Sequence, residues 1–170
     1  MPHTLSAAPL LQLWELLSCL GVSSLDAREA RRIKLTNQGA ALIAIFTVGF
    51  NVLYALYDFR GLSPAIYFNT FCIAGYIFVL WLNHTSRHLV AKTLMMSIGI
   101  PQLLVLCWLF GTQCGLNLFY FATTFYCVMI FSESEKVPLF GLVFASIIFY
   151  LWTYFMFSNG PGKLDPAASL

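Results

Sequence analysis

Long uncharged stretches alternate along this chain with short segments that carry nearly all of its charge. The first uncharged stretch runs roughly from Gln38 to Tyr57 and the second roughly from Ala65 to Leu82. Between Thr93 and Ser132 about 40 residues pass without a charge, twice the roughly 20 needed to cross a bilayer, which predicts two helices and a turn. Gly111-Thr-Gln-Cys-Gly115 interrupts the apolar pattern with two glycines and two polar residues and is the predicted turn. A last stretch runs roughly from Val137 to Phe157. The pattern predicts an all-α integral membrane protein, with a bundle of five transmembrane helices over residues 38–158. Pro101 predicts a kink in the third of them, which neighbouring helices can accommodate.

The apolar run within residues 1–22 is too short to span. Leu10, Leu13, Trp14, Leu17 and Leu20 share one helical face while Gln12 and Glu15 lie on another, the pattern of an interfacial amphipathic helix. A signal peptide is disfavoured, because no basic segment precedes the run and no small-residue cleavage site follows it. Ser23 and Asp26 have N-cap spacing ahead of a basic juxtamembrane helix over residues 23–37, expected to continue straight into the membrane. Its Arg28, Arg31, Arg32 and Lys34, together with Arg87 and Lys92 between the second and third spans, are expected to contact anionic lipid headgroups.

Adding Lys136, seven basic residues fall on one side of the predicted bundle, against Arg60 and Lys163 on the other. The excess predicts a cytoplasmic N-terminus in a multi-pass protein. Five spans then place the tail, residues 159–170, on the far side, where it is expected to lead into a sixth helix beyond Leu170.

Composition narrows the function. Hydrophobic residues make up 59% of the 170 and charged ones 9%, with mean hydropathy +0.79, whereas a soluble domain carries about 25% charge. A net charge of +2 gives no case for a nucleic-acid partner. The five cysteines, at 19, 72, 107, 114 and 127, lack metal spacing and sit mostly in apolar runs. No phosphate loop, nucleophile elbow or zinc-protease motif is present, so this chain is not expected to be an enzyme. All carboxylates fall outside the spans, which counts against a proton pump or an ion-coupled transporter. His84 and His88 have one-face spacing but no neighbouring Cys or carboxylate, and no histidine lies within a span. Neither a metal nor haem is therefore expected, and no cofactor is assigned.

Asn51, Asn69, Ser97, Gln102, Asn117, Thr123 and Thr124 bring polar groups into the spans. Each must face a partner helix or a cavity, since an unsatisfied polar group in hydrocarbon costs several kcal/mol. Two readings stand: hydrogen bonds between helices, or a pocket for a small, mostly apolar ligand. Aromatic residues are dense around the non-cytoplasmic half, and Trp108 and Tyr120 flank the Gly111–Gly115 turn together with Gln102 and Asn117. The pocket reading takes Asn51, Tyr54, Asn69, Gln102, Trp108, Asn117, Tyr120 and Tyr126 as its candidate ligand residues. Gly141-x-x-x-Ala145 fits small-residue helix packing.

Several of these features occur in a particular order. A basic helix runs into Leu35-Thr-Asn37, and Leu82-Asn83-His-Thr-Ser-Arg87-His-Leu-Val-Ala91-Lys92 joins the second and third spans. Gly111-x-x-x-Gly115 precedes an aromatic run, and Ser132-Glu-Ser-Glu-Lys136 forms a charged turn. Over about residues 23–160 this order resembles the six-helix membrane sensor regions of bacterial signalling proteins, which precede class III adenylyl cyclases, diguanylate cyclases and histidine kinases. The resemblance implies an inner-membrane sensory input domain, a homodimer, a small lipophilic signal and a cytoplasmic cyclase or kinase as output. The other reading is a small structural, assembly or transporter-like membrane protein without an effector.

Overall fold

A computed structural model of the protein describes residues 8–22, 26–111 and 115–157. Residues 1–7 of the predicted N-terminal segment, Ser23, most of the Gly111–Gly115 turn and the tail at 159–170 lie outside the described residues.

Six α-helices make up the described chain: α1 (Ala8–Ser18), α2 (Ala27–Asp58), α3 (Ser63–His84), α4 (His88–Phe110), α5 (Phe119–Ile130) and α6 (Lys136–Phe157). A single turn of 3-10 helix, Leu116–Leu118, leads into α5. The basic segment and the first apolar stretch form one helix, as the pattern predicts. At 1.5 Å per residue α2 is about 48 Å long, well beyond the roughly 30 Å of hydrocarbon, so its arginine-rich start projects past the apolar layer.

Among the described residues, α2, α3, α4 and α6 are long and apolar enough to cross a membrane. The predicted fourth span is shorter than expected. Leu116–Ile130 reaches only about 22 Å, because the Gly111–Gly115 turn on one side and the extended Phe131 on the other confine it. α4 runs unbroken through Pro101.

The turns follow from local chemistry. Asp58 accepts the amide of Gly61 at 3.0 Å, and Pro64 sits in the first turn of α3, where its missing N–H is no loss. The end of α3 is a Schellman motif: the Arg87 amide bonds the Leu82 carbonyl, the Ser86 amide bonds that of Asn83, and Ser86 takes a left-handed φ of 61°. Gly111, at the end of α4, and Gly115, just before the 3-10 turn, also have positive φ, 75° and 71°, a region that glycine enters without a Cβ penalty.

Short connections make successive helices antiparallel. The starts of α2, α4 and α6 therefore gather with the ends of α3 and α5 at one basic end of the bundle. Arg60 lies at the opposite, far end.

α4 is the central strut and touches α2, α3, α5 and α6. Buried Ala40, Tyr76, Val79, Ala91 and Met95 pack the basic half, and Tyr54, Leu62, Ala65 and Leu109 the far half. The outward faces carry Phe46, Leu56, Phe71, Phe125, Phe140 and Phe155, all largely exposed, which suits lipid and not water. α1 lies against α2 with Ser18 buried and Trp14 and Leu17 half-buried. Leu13, expected on that apolar face, is exposed beside Leu11 and Leu16.

Candidate functional site

Polar side chains collect at three depths in the bundle. At the basic end, Asn37 of α2 donates to the carbonyls of Ser18 and Leu20 at 3.1 and 2.9 Å, which fastens the end of α1 to α2. Its own carbonyl accepts from Asn83 of α3 at 2.7 Å, and the Asn83 oxygen lies 3.2 Å from Nδ1 of His88 on α4. Asn37 and Asn83 are fully buried, so this chain of bonds, from Asn83 to Asn37 and from Asn37 to the α1 end, satisfies both amides where water cannot. Gly21, with φ 73°, lets the chain pass against this junction: a Cβ there would stand 1.9 Å from the Asn83 carbonyl oxygen.

One turn along α4 from His88 lies Lys92, whose side chain has no exposed surface. Its ammonium is 2.5 Å from Glu29 of α2 and 3.2 Å from Glu135, the residue just before α6. Glu135 also accepts the Ser132 amide at 2.7 Å, and Glu29 pairs with Arg32 at 3.4 Å. Burial alone would push the Glu135 carboxyl up. The Ser132 amide and the Lys92 ammonium outweigh it and hold the group below the usual carboxylate range.

Halfway along the bundle, Gln102 of α4 accepts from the Tyr76 hydroxyl at 2.6 Å and donates to Thr47 at 2.9 Å, joining α3, α4 and α2. The Gln102 stem lines a laterally open groove of about 380 Å³ between α2, α4 and α5. Apart from Gln102, Thr123 and the Tyr126 hydroxyl its wall is apolar, with Gly39 and Gly99 keeping it open. The Tyr126 hydroxyl donates to the Leu35 carbonyl at 2.6 Å and so ties α5 to α2. Met95 and Met96 line the groove one turn above Lys92. The groove and the ion cluster therefore share α2 and α4.

Towards the far end, Asn51 and Tyr54 line the seam between α2 and α3, and Asn69 is buried one turn beyond Ala65 on the same face of α3. The Asn51 amide donates to Thr70 at 3.2 Å. A further group, Tyr120 and Asn117, is buried beside α4 and α6. The Tyr120 hydroxyl bonds the Ile100 carbonyl at 3.3 Å, and its backbone carbonyl accepts from Ser146 at 3.0 Å.

The eight residues expected to form one ligand pocket thus fall into separate places. Gln102 and Tyr126 line the lateral groove, Asn51, Tyr54 and Asn69 lie at the α2–α3 seam, and Asn117 and Tyr120 brace α5. Trp108 is 37% exposed on the outer surface of α4. This groove lies at mid-bundle and towards the basic end, whereas Tyr54 lines a separate groove in the aromatic-rich far half. Contacts between helices separated in sequence decide that position.

Lys92 is the clearest correction. It was expected to contact lipid headgroups, but it is fully buried between two carboxylates, while Arg28, Arg31, Lys34 and Arg87 are exposed and Arg32 is half-buried. His84 and His88 do not share a helix, because the Schellman turn places them at the end of α3 and the start of α4. Gly141 has nothing within 4 Å of a Cβ position, so the Gly141–Ala145 stripe is open at its start. Glu29, Asn37, Thr47, Tyr76, Asn83 and Glu135 were not singled out as site residues. The one signal in the sequence was a carboxylate embedded in two of the three basic segments, Glu29 beside Arg28 and Glu135 beside Lys136.

A family model described as MASE7 matches residues 24–169 of the chain, while no curated protein and no solved structure matches it.

Proposed function

The chain belongs to the MASE7 family of membrane-associated sensor domains, and on that premise we propose that it is the sensory input module of a bacterial signal-transduction protein. Its part is input and not catalysis. A small lipophilic signal enters from the bilayer into the groove between α2, α4 and α5, and the output is a cytoplasmic nucleotide cyclase or kinase.

The observation that carries this reading is the position of the groove. Its wall is apolar, it opens sideways, and it stands one turn from the Lys92 cluster that joins α2, α4 and the α5–α6 turn. Both polar atoms of Gln102 are already engaged by Tyr76 and Thr47, so shape and apolar contact would select the signal. A ligand wedged between α5 and α2 would bias two packings of the bundle by its differential affinity for them. The ion cluster would pass that bias to α6 and onward.

The same reading sets the basic end in the cytoplasm of a cell bounded by an inner membrane. A shallow pocket of about 220 Å³ among Arg28, Arg31, Arg32 and Leu35 suits an anionic lipid headgroup there. A homodimer would use the outer face of α6, where Gly141 allows close approach to a second copy.

The test is to fill the groove. Gly99 lines the groove, and a Cβ there meets only the Tyr76 hydroxyl, at 3.6 Å, so Gly99→Leu adds bulk at the groove wall without a backbone clash. In cells carrying the full reading frame, lipophilic culture extract should change cyclic-nucleotide or phosphotransfer output. Gly99→Leu should abolish that response at unchanged protein abundance. An undiminished response in the filled variant would refute the groove as the input site.

A further inference from the structure

At the seam between α2 and α3, three polar side chains keep unpartnered atoms in the interior. Both side-chain atoms of Asn69, the oxygen of Asn51 and the hydroxyl of Tyr54 have no hydrogen-bond partner among the described residues. Asn69 is 1% exposed and Tyr54 2%. Elsewhere the bundle pairs its buried amides: Asn37 with Asn83, and Gln102 with Tyr76 and Thr47. Leaving donors and acceptors unpaired in a hydrocarbon-bounded interior is costly, and native structures rarely retain such groups without a reason.

Register brings the three together. Asn51 and Tyr54 are three apart on α2 and so share a face. That face meets α3 where Asn51 bonds Thr70 and where Tyr54 packs with Ala65. Asn69 is one turn further along the same face of α3 as Ala65. The Tyr54 ring is held between Phe50 and Phe110, with centroids 6.1 and 6.2 Å away, so its hydroxyl is fixed in place. The same tyrosine lines a second laterally open groove, of about 490 Å³, with Leu53, Leu56, Tyr57 and Phe110. This groove is separate from the one between α2, α4 and α5.

We propose that this seam is a second binding site, which takes a single-chain amphiphile whose head carries both a hydrogen-bond donor and an acceptor. The head would reach Asn69, whose amide offers one of each, past the Tyr54 hydroxyl, while the chain lies in the Leu53–Phe110 groove. A head that only accepts would leave the Asn69 oxygen unpaired, and a plain alkane would leave all four atoms so. The site does not depend on the signal groove described above.

Three ten-carbon probes test it on the full chain in detergent micelles: decanamide, which donates and accepts; decan-2-one, which only accepts; and decane, which does neither. Thermal unfolding is followed by tryptophan fluorescence as the probe's mole fraction rises. Decanamide should raise Tm saturably, at about tenfold lower mole fraction than decan-2-one, and decane should give no saturable rise. Asn69→Leu and Tyr54→Phe should erase the preference for decanamide. Gln102→Leu, which alters the other groove, should keep it. If Asn69→Leu fails to fold, Tyr54→Phe carries the comparison alone. Three results would overturn the proposal: equal shifts from all three probes, a preference that survives in the seam variants, or a preference lost only with Gln102→Leu. An internal water as sole partner would leave decanamide acting alike on the parent and on Asn69→Leu. That result would also overturn it.

Discussion

Replacing Lys92 by methionine removes the one cation between Glu29 and Glu135 and leaves a side chain of similar length in its place. At an effective dielectric of about 20, unit charges 4 Å apart attract by about 4 kcal/mol. The separations here are 2.5 and 3.2 Å, but burying the ammonium completely offsets much of that attraction. Losing one partner of a fully buried pair costs about 3–5 kcal/mol. The carboxylates retain 28% and 15% of their side-chain surface, so they can rehydrate in part, which brings the expected loss to about 2 kcal/mol. For a chain of this size that is a fall of roughly 4–8 °C in Tm.

The assay is thermal unfolding in nanodiscs at pH 7, with Lys92→Met, Glu135→Gln and the double variant forming a cycle. The two changes should be non-additive by about 1 kcal/mol, since each removes the same contact. Independent effects, or a Lys92→Met variant as stable as the parent, would show that the cluster does not hold the helices together.

Three further outcomes follow from the geometry. The folded protein holds the Glu135 carboxyl below its unfolded range, so its contribution is complete above the ordinary carboxylate pKa and fades as pH falls through the lower folded value. The Tm gap between parent and Lys92→Met should accordingly be flat from neutral pH down to about 5 and close below that; a gap that widened in acid would contradict the assignment. Tyr76→Phe strips Gln102 of its donor, with an expected cost of about 1–3 kcal/mol, and adding Gln102→Met should restore part of it in a denaturation series. Gly21→Ala sets a Cβ against the Asn83 carbonyl oxygen in a left-handed backbone, so the end of α1 should detach from Asn37, seen as faster amide exchange confined to α1.

What could be read from the residues in order was whatever accumulates along a contiguous stretch. Transfer of a residue into hydrocarbon adds to that of its neighbours, so the runs at 65–82 and 137–157 emerge as α3 and α6 within a few residues of their ends, and the run at 38–57 as the apolar part of α2. Turn chemistry is equally local: α4 ends at Gly111, and α5 is entered just past Gly115, both with positive φ. The basic end was legible for the same reason. Pairing across the bundle is not local. Lys92 lies 63 positions from Glu29 and 43 from Glu135, and nothing adjacent to it in the chain distinguishes it from Arg87, which stays exposed. Asn37 with Asn83, and Gln102 with Thr47, are likewise matched only by helix rotation and depth. An amide in an apolar run announces that it needs a partner. Which amides find one and which, like Asn69, find none among the described residues is decided by packing, because a hydrogen bond or an ion pair depends on ångström separations that exist only after the helices have docked.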